Sequence, residues 1–153
     1  GPMATELPVA LWAPPEDDPY RPLLNTAMLE TWLRDRGLGE QVAVIDGPGI
    51  PGDPGTLVIV SWLPGAGFSL EQMLDTPGFQ LRVIGPQGNH AAAAELADRI
   101  DLELVARDRF PGFVGGRYVV EIRRTGGRPS HDRTDTANRA HYVCTYLADV
   151  EAQ

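Results

Sequence analysis

The chain has no lysine: all 13 of its basic residues are arginines. A phosphate loop ending in Gly-Lys is therefore excluded. There is one cysteine, Cys144, so no intramolecular disulfide can form, and its apolar setting suits a buried thiol in a reducing compartment. No apolar run approaches the roughly 18 residues of a membrane-spanning helix. Leu7–Ala13 is apolar, but nothing basic precedes it, which makes it a poor secretory signal. Basic charge is scarce as well, 13 residues against 21 acidic ones, for a net charge of −8 and a pI near 4.7. That balance argues against a protein whose main work is gripping nucleic acid, since such binding rests on neutralising phosphates. It leaves room for a passage through which DNA slides without sticking.

Catalytic signatures are missing too. No Gly-x-Ser-x-Gly elbow, His-Glu-x-x-His or Cys-x-x-Cys occurs. Gly47-x-Gly49-x-x-Gly52 spells a dinucleotide fingerprint, but that motif works only where the loop opens a helix. Pro48, Pro51 and Pro54 occupy the places where the helix would grow, so the stretch 47–55 reads as a loop. His131-Asp132 with Asp135 is the nearest approach to a metal-ligand cluster and reads instead as a polar loop. Cys144 and His141 lie three apart in a predicted strand, on opposite faces, so they make no nucleophile pair. The chain is expected to be neither an enzyme nor a carrier of a cofactor.

What is present is a turn-rich chain of 153 residues, enough for one hydrophobic core, with 17 Gly and 14 Pro. Gly1-Pro2 before Met3 reads as a protease-cleavage scar. Residues 3–23, with five prolines and Glu16-Asp17-Asp18, are expected to form an extended acidic arm, and 24–150 a single domain. Residues 1–76 carry 11 acidic and 3 basic side chains, whereas residues 77–153 carry 10 of each, so the negative excess sits entirely in the first half.

Periodicity supplies the elements. Asn25 caps a predicted helix whose Met28, Leu29, Trp32 and Leu33 recur at helical spacing; Gly37 ends it, and Leu38 folds back. Val42–Ile45 and Leu57–Trp62 read as strands, residues 63–77 as a long connection with a short helical turn over about 70–75. Phe79-Gln80-Leu81-Arg82-Val83 alternates as a strand with Phe79, Leu81 and Val83 facing inward. Asn89 caps a second helix to about Ala106, with Ala93, Leu96, Ala97, Ile100 and Leu104 on one stripe and Glu95, Asp98, Arg99 and Asp101 opposite. Tyr118–Arg124 and Ala140–Ala148 are the last two strands, joined by the polar stretch Thr125–Asn138, too long for a hairpin loop unless mobile or held by a partner. The expected fold is α+β: a mainly antiparallel mixed sheet of about five strands, with two helices packed on one face.

Two surfaces then stand out. Phe68, Leu70, Met73 and Leu74 form an apolar group in a connection, a pattern that marks partner sites. Arg117, Arg123, Arg124, Arg128, Arg133 and Arg139 outnumber Glu121, Asp132 and Asp135 and suit electrostatic contact with the acidic half of a neighbouring copy. A competing reading is a small enzyme or ligand-binding domain in which Arg123, Arg124 and His131 hold an anion.

Several ordered segments resemble one family. They are Leu29-Glu30-x-Trp32-Leu33 ending in Gly37-Leu38-Gly39, then Pro77-Gly78-Phe79-Gln80-Leu81-Arg82-Val83-x-Gly85, then Ala94-Glu95-Leu96-Ala97-Asp98-Arg99-Ile100, and Gly116-Arg117-Tyr118 leading to Gly126-x-x-Pro129-x-x-Asp132. Across about residues 25–148 this set is similar to the minor capsid or tail terminator proteins of long-tailed bacteriophages. The resemblance implies a cofactor-free structural subunit that assembles into a hexameric ring on the tail tube protein, ends tail growth and offers a docking surface to the head-completion or neck protein. Phe68–Leu74 would then face the tube or lumen, DNA would pass without specific binding, and the protein would reside at the tail-neck junction of the virion after assembly in the host cytoplasm. Arg117, Arg123, Arg124, Arg128 and Arg133 would make the subunit or DNA-proximal contacts. Another head-to-tail joining protein of the neck is the alternative in the same class. The arm 3–23 and the loop 47–55 depart from the family pattern.

Overall fold

The computed structural model describes residues 24–38, 43–46, 56–69 and 73–152, with residues 43–46, Pro64 and Phe68 described through the backbone alone. The arm 3–23, Leu70 and the loop 47–55 lie outside these residues. Asn25 Oδ1 accepts the Met28 amide at 3.0 Å and caps α1 (Thr26–Leu33). α1 continues into a π-helical turn over Arg34–Leu38 that Gly37 closes at φ 80°, and Leu38 joins Leu33 in the core, as the glycine C-cap predicts.

Seven strands follow among the described residues: β1 (Ala43–Asp46), β2 (Leu57–Ser69), β3 (Leu74–Ile84), β4 (Gly112–Val114), β5 (Arg117–Arg124), β6 (Ser130–Thr134) and β7 (Ala140–Glu151), with α2 (His90–Val105) between β3 and β4. The sheet order is β1-β2-β3-β7-β5-β4, and β6 also pairs with β7. β1 runs parallel to β2, and every other pairing is antiparallel. β7 is central. β3 lies along one side of it, while β6 and then β5 share the other, opposite Ala140–Val143 and Tyr146–Val150 respectively.

The register decides which face is which. Trp62, Phe79 and Tyr146 stand opposite one another on three adjacent strands, their ring centroids 5.5 and 5.3 Å apart. At one end of this aromatic row the Trp62 indole donates to Thr26 Oγ1 of α1 at 3.0 Å, and at the other the Tyr146 hydroxyl donates to Asp101 of α2 at 2.8 Å. Both helices therefore lie on one face, as expected. Phe79, Leu81 and Val83 point into the core beneath them. Gly85 lets α2 start close to the sheet, since a Cβ there would lie 2.7 Å from that of Ala93.

The α+β class stands, and several details change. The connection 63–77 is mostly strand: β2 runs to Ser69 and β3 starts at Leu74, so the helical turn expected over 70–75 is replaced at Leu74 and Asp75 by hydrogen-bonded sheet. A register shift between Leu63 and Gly67 absorbs the Pro64 stretch, and Gly65 sits directly over the Thr76 carbonyl. Thr125–Asn138 is not a free loop, because Ser130–Thr134 forms β6 along the edge of β7. β4 is too short for a period to reveal. Asp101, placed on the wet side of α2, is buried instead.

Candidate assembly surfaces

On the helix face, α2 brings Asp101 over the middle of β7. Its side chain is 5% exposed and receives three donors: Arg124 Nε at 2.9 Å with Arg124 Nη2 on the second oxygen, the Tyr146 hydroxyl at 2.8 Å, and the Cys144 thiol at a longer 3.9 Å. Arg124 stands opposite Tyr146 in the register, so helix and sheet are clamped at one point. The Asp101 carboxylate holds the Arg124 guanidinium more firmly charged, whereas burial pushes the Cys144 thiol and the Tyr146 hydroxyl up from their ordinary values. Neither is a nucleophile near neutral pH.

On the opposite face a second polar cluster forms around His141, which is fully buried. Arg82 Nη1 lies 3.2 Å from its Nδ1, and Asp135 Oδ2 lies 2.8 Å from its Nε2. Guanidinium nitrogens only donate, so Nδ1 is the acceptor from Arg82 and the Nε2–H donates to the Asp135 carboxylate. Asp135 also accepts the amides of Ala137 and Arg139 and the Arg139 Nε, each at 3.0 Å. The His141 hydrogen bond and those from Arg139 hold the Asp135 carboxyl well below the usual carboxylate range. Arg82 reaches on to Asp132 at 2.6 Å and lowers that carboxyl as well. His131, Asp132 and Asp135 thus have partners of their own, and among the described residues no group of three His, Cys, Asp or Glu could hold a metal ion.

The five candidate arginines divide. Arg123 and Arg124 are neighbours in β5 and point to opposite faces, Arg123 to Asp149 at 2.5 Å and Arg124 to Asp101. Arg128, 73% exposed, lies 3.6 Å from Asp98. Arg117 and the exposed Arg133 make no ion pair among the described residues. Arg123, Arg124 and His131 do not converge on one anion, which removes the geometric basis of the ligand-binding alternative.

The apolar candidates sit at the far end of the sheet. Met73, exposed and at φ 55°, closes the β2–β3 hairpin, and its carbonyl accepts the Ala152 amide at 3.0 Å. Leu74 is half-buried opposite Glu151. The Phe68 backbone pairs with that of Asp75 in the same hairpin. A group that sequence reasoning missed stands nearby on the face without helices: Phe113 of β4, 66% exposed, meets Tyr118 of β5 edge-on at 5.2 Å, with exposed Val120 next along. Val114 and Val119 are buried in the core, so alternation turns Phe113 and Tyr118 outward. The signal is Phe-x-Gly-Gly-x-Tyr around a two-glycine turn, residues 113–118.

Two open grooves lie among the described residues. One, of about 170 Å³, is lined by Thr125, Gly126, Gly127 and Arg128 with β7 at its floor; the other, of about 160 Å³, lies between Thr56 and α2. Neither gathers a base, a nucleophile and an orienting partner. No helix of the described residues is long and apolar enough to cross a membrane.

No model of a known protein family matches the chain. No curated protein matches it either. Among solved structures, a chain from the virion of a native gene transfer agent particle shares the fold, with a TM-score of 0.55 at 19% identity over 82% of this chain and 93% of that one. A second solved chain aligns over 82% of this chain and 89% of its own length, with a TM-score of 0.49 at 21% identity.

Proposed function

We propose that this chain is a structural protein of a phage-like virion, a non-enzymatic tail terminator whose copies close into a hexameric ring on the tail tube. The observation that carries this reading is the fold shared with a chain of a gene transfer agent virion, spanning 93% of that chain. The surface agrees with it: the chain carries exposed apolar groups at one end of the sheet and cations in β5 and β6, but no convergent catalytic set among its described residues. A ring needs heterologous contacts, in which one patch meets a different patch of the next copy. Arg117, Arg133 and Arg128 are available for such contacts, set against a first half rich in carboxylates. In this reading Phe68, Leu70, Met73 and Leu74 of the β2–β3 hairpin meet the tube, the opposite end meets the neck protein, and the acidic surplus keeps passing DNA from sticking.

Native mass spectrometry with and without tail tubes, followed by negative-stain microscopy, tests it. The expected result is a six-fold ring that caps tube ends and stops their growth. A strict monomer at every concentration, tubes included, overturns the reading. Reversing charge at Arg133 and Arg117 is expected to weaken assembly and change its salt dependence.

A further inference from the structure

We propose that Thr125–Thr134 is a strap that swings off the edge of β7 while the rest of the domain stays folded, baring Cys144 and the strand-pairing groups of Ala140–Val143. None of its ten residues is buried and only Pro129 is half-buried, whereas β5, on the same side of β7, sends Val119 and Ile122 into the core. A segment with so little apolar burial opens at far lower cost than the whole domain unfolds. β6 pairs with Ala140–Val143 across a register shift between His131 and Arg133. Its side-chain ties each have an exposed partner: Asp132 to Arg82 at 2.6 Å, Arg128 to Asp98 at 3.6 Å, and the His131 ring edge-on to Tyr142 at 5.5 Å.

The hinge is Gly126-Gly127. Neither glycine has a positive φ, and a Cβ on either would meet nothing within 4 Å, so no turn or close approach demands glycine there. What the pair supplies is backbone freedom. The other end is anchored, because Asp135 gathers the Ala137 and Arg139 amides, the Arg139 side chain and His141. Beneath the hinge an open groove already separates the strap from β7, and at its floor the Cys144 thiol lies 3.6 Å from the Gly127 carbonyl. With the strap closed Cys144 is 7% exposed, and the Ala140–Val143 stretch has β3 on one side and β6 on the other. The closed strap thus guards a sheet edge that would otherwise offer unpaired backbone groups to another chain.

The full chain carries a single thiol, so iodoacetamide labelling of Cys144, followed by mass spectrometry along a urea series, reads the opening directly. Urea unfolding of the same samples gives the global transition. Below that transition the labelling rate is expected to change little with urea, as for an opening that exposes little surface. Asp132→Asn removes the Arg82 tie and is expected to speed labelling about threefold. Gly126→Ala with Gly127→Ala stiffens the hinge and is expected to slow it about fivefold. A rate that follows global unfolding along the whole urea series overturns the strap. So does a rate that neither variant moves, since the reagent then reaches the thiol through the closed groove.

Discussion

Asp101 and Asp135 each gather several hydrogen-bond donors, yet the first joins distant parts of the chain and the second only its own turn. Asp101 binds partners 23 and 45 positions away, from β5 and β7, in a nearly sealed site. Asp135 binds groups 2, 4 and 6 positions away and shapes the approach to β7. The two stand on opposite sides of the same central strand. The lesson is that sequence distance and burial, more than the number of bonds, decide what a carboxylate controls: Asp101 governs whether α2 stays on the sheet, and Asp135 governs the local form of the β6–β7 hairpin.

The sharpest way to break this contrast is Asp101→Leu. It leaves the Arg124 guanidinium and the Tyr146 hydroxyl without their acceptor, and a loss of about 3 kcal/mol is expected in urea unfolding. A loss below about 1 kcal/mol would show that Arg124 finds water easily and that the clamp is weak. Tyr146→Phe keeps the ring stack on Phe79 and removes one donor, for an expected loss of about 1 kcal/mol in the same assay. Asp135→Asn is expected to act locally: amide exchange over 135–143 speeds up, with a smaller shift of the global midpoint than Asp101→Leu produces.

Acid sharpens the comparison further. The Asp135 carboxyl is lowered in the folded state, so the unfolded chain takes up its proton first as pH falls. Its contribution is fully present above the unfolded value of about 3.9 and is lost as pH drops below it. Asp132 and Glu103, each lowered mainly by an arginine hydrogen bond, act in the same direction. Unfolding midpoints measured from pH 6 to pH 2 should therefore decline mainly below pH 4, and Asp135→Asn should flatten that decline. The smallest effect belongs to Arg133→Glu, expected within about 0.5 kcal/mol on stability because the side chain is exposed and unpaired among the described residues.

Much of the fold was legible before any coordinates. Both helices, their asparagine caps, the inward set Phe79, Leu81 and Val83 and the opposite facing of His141 and Cys144 all follow from period and capping. β4 and β6 escaped because three and five residues hold too little periodicity, and β6 is entirely polar and exposed. The β2–β3 hairpin escaped because Pro64 and two glycines read as loop residues, while the bulge that absorbs them depends on the neighbouring strand. Asp101 was misplaced on charge alone. It stands four residues after Ala97 and one after Ile100, inside the buried stripe, but the partners that make its burial tolerable lie 23 and 45 residues further on and no local pattern announces them. The candidate surfaces divide the same way: Met73 is exposed as expected, whereas the outward turn of Phe113 is set by register and by the burial of Val114.

β7 carries one more consequence, for how the molecule is made. It follows all the other described strands in sequence, yet it is the shared middle of the sheet, and it pairs with residues as far back as Leu74, which stands opposite Glu151. Until residue 151 has left the ribosome, the β2–β3 hairpin and α2 have no central strand to close upon, and their inner surfaces await it. Folding is therefore a late, non-local event, of the kind that proceeds slowly and leaves nascent chains in need of chaperone shelter at high expression.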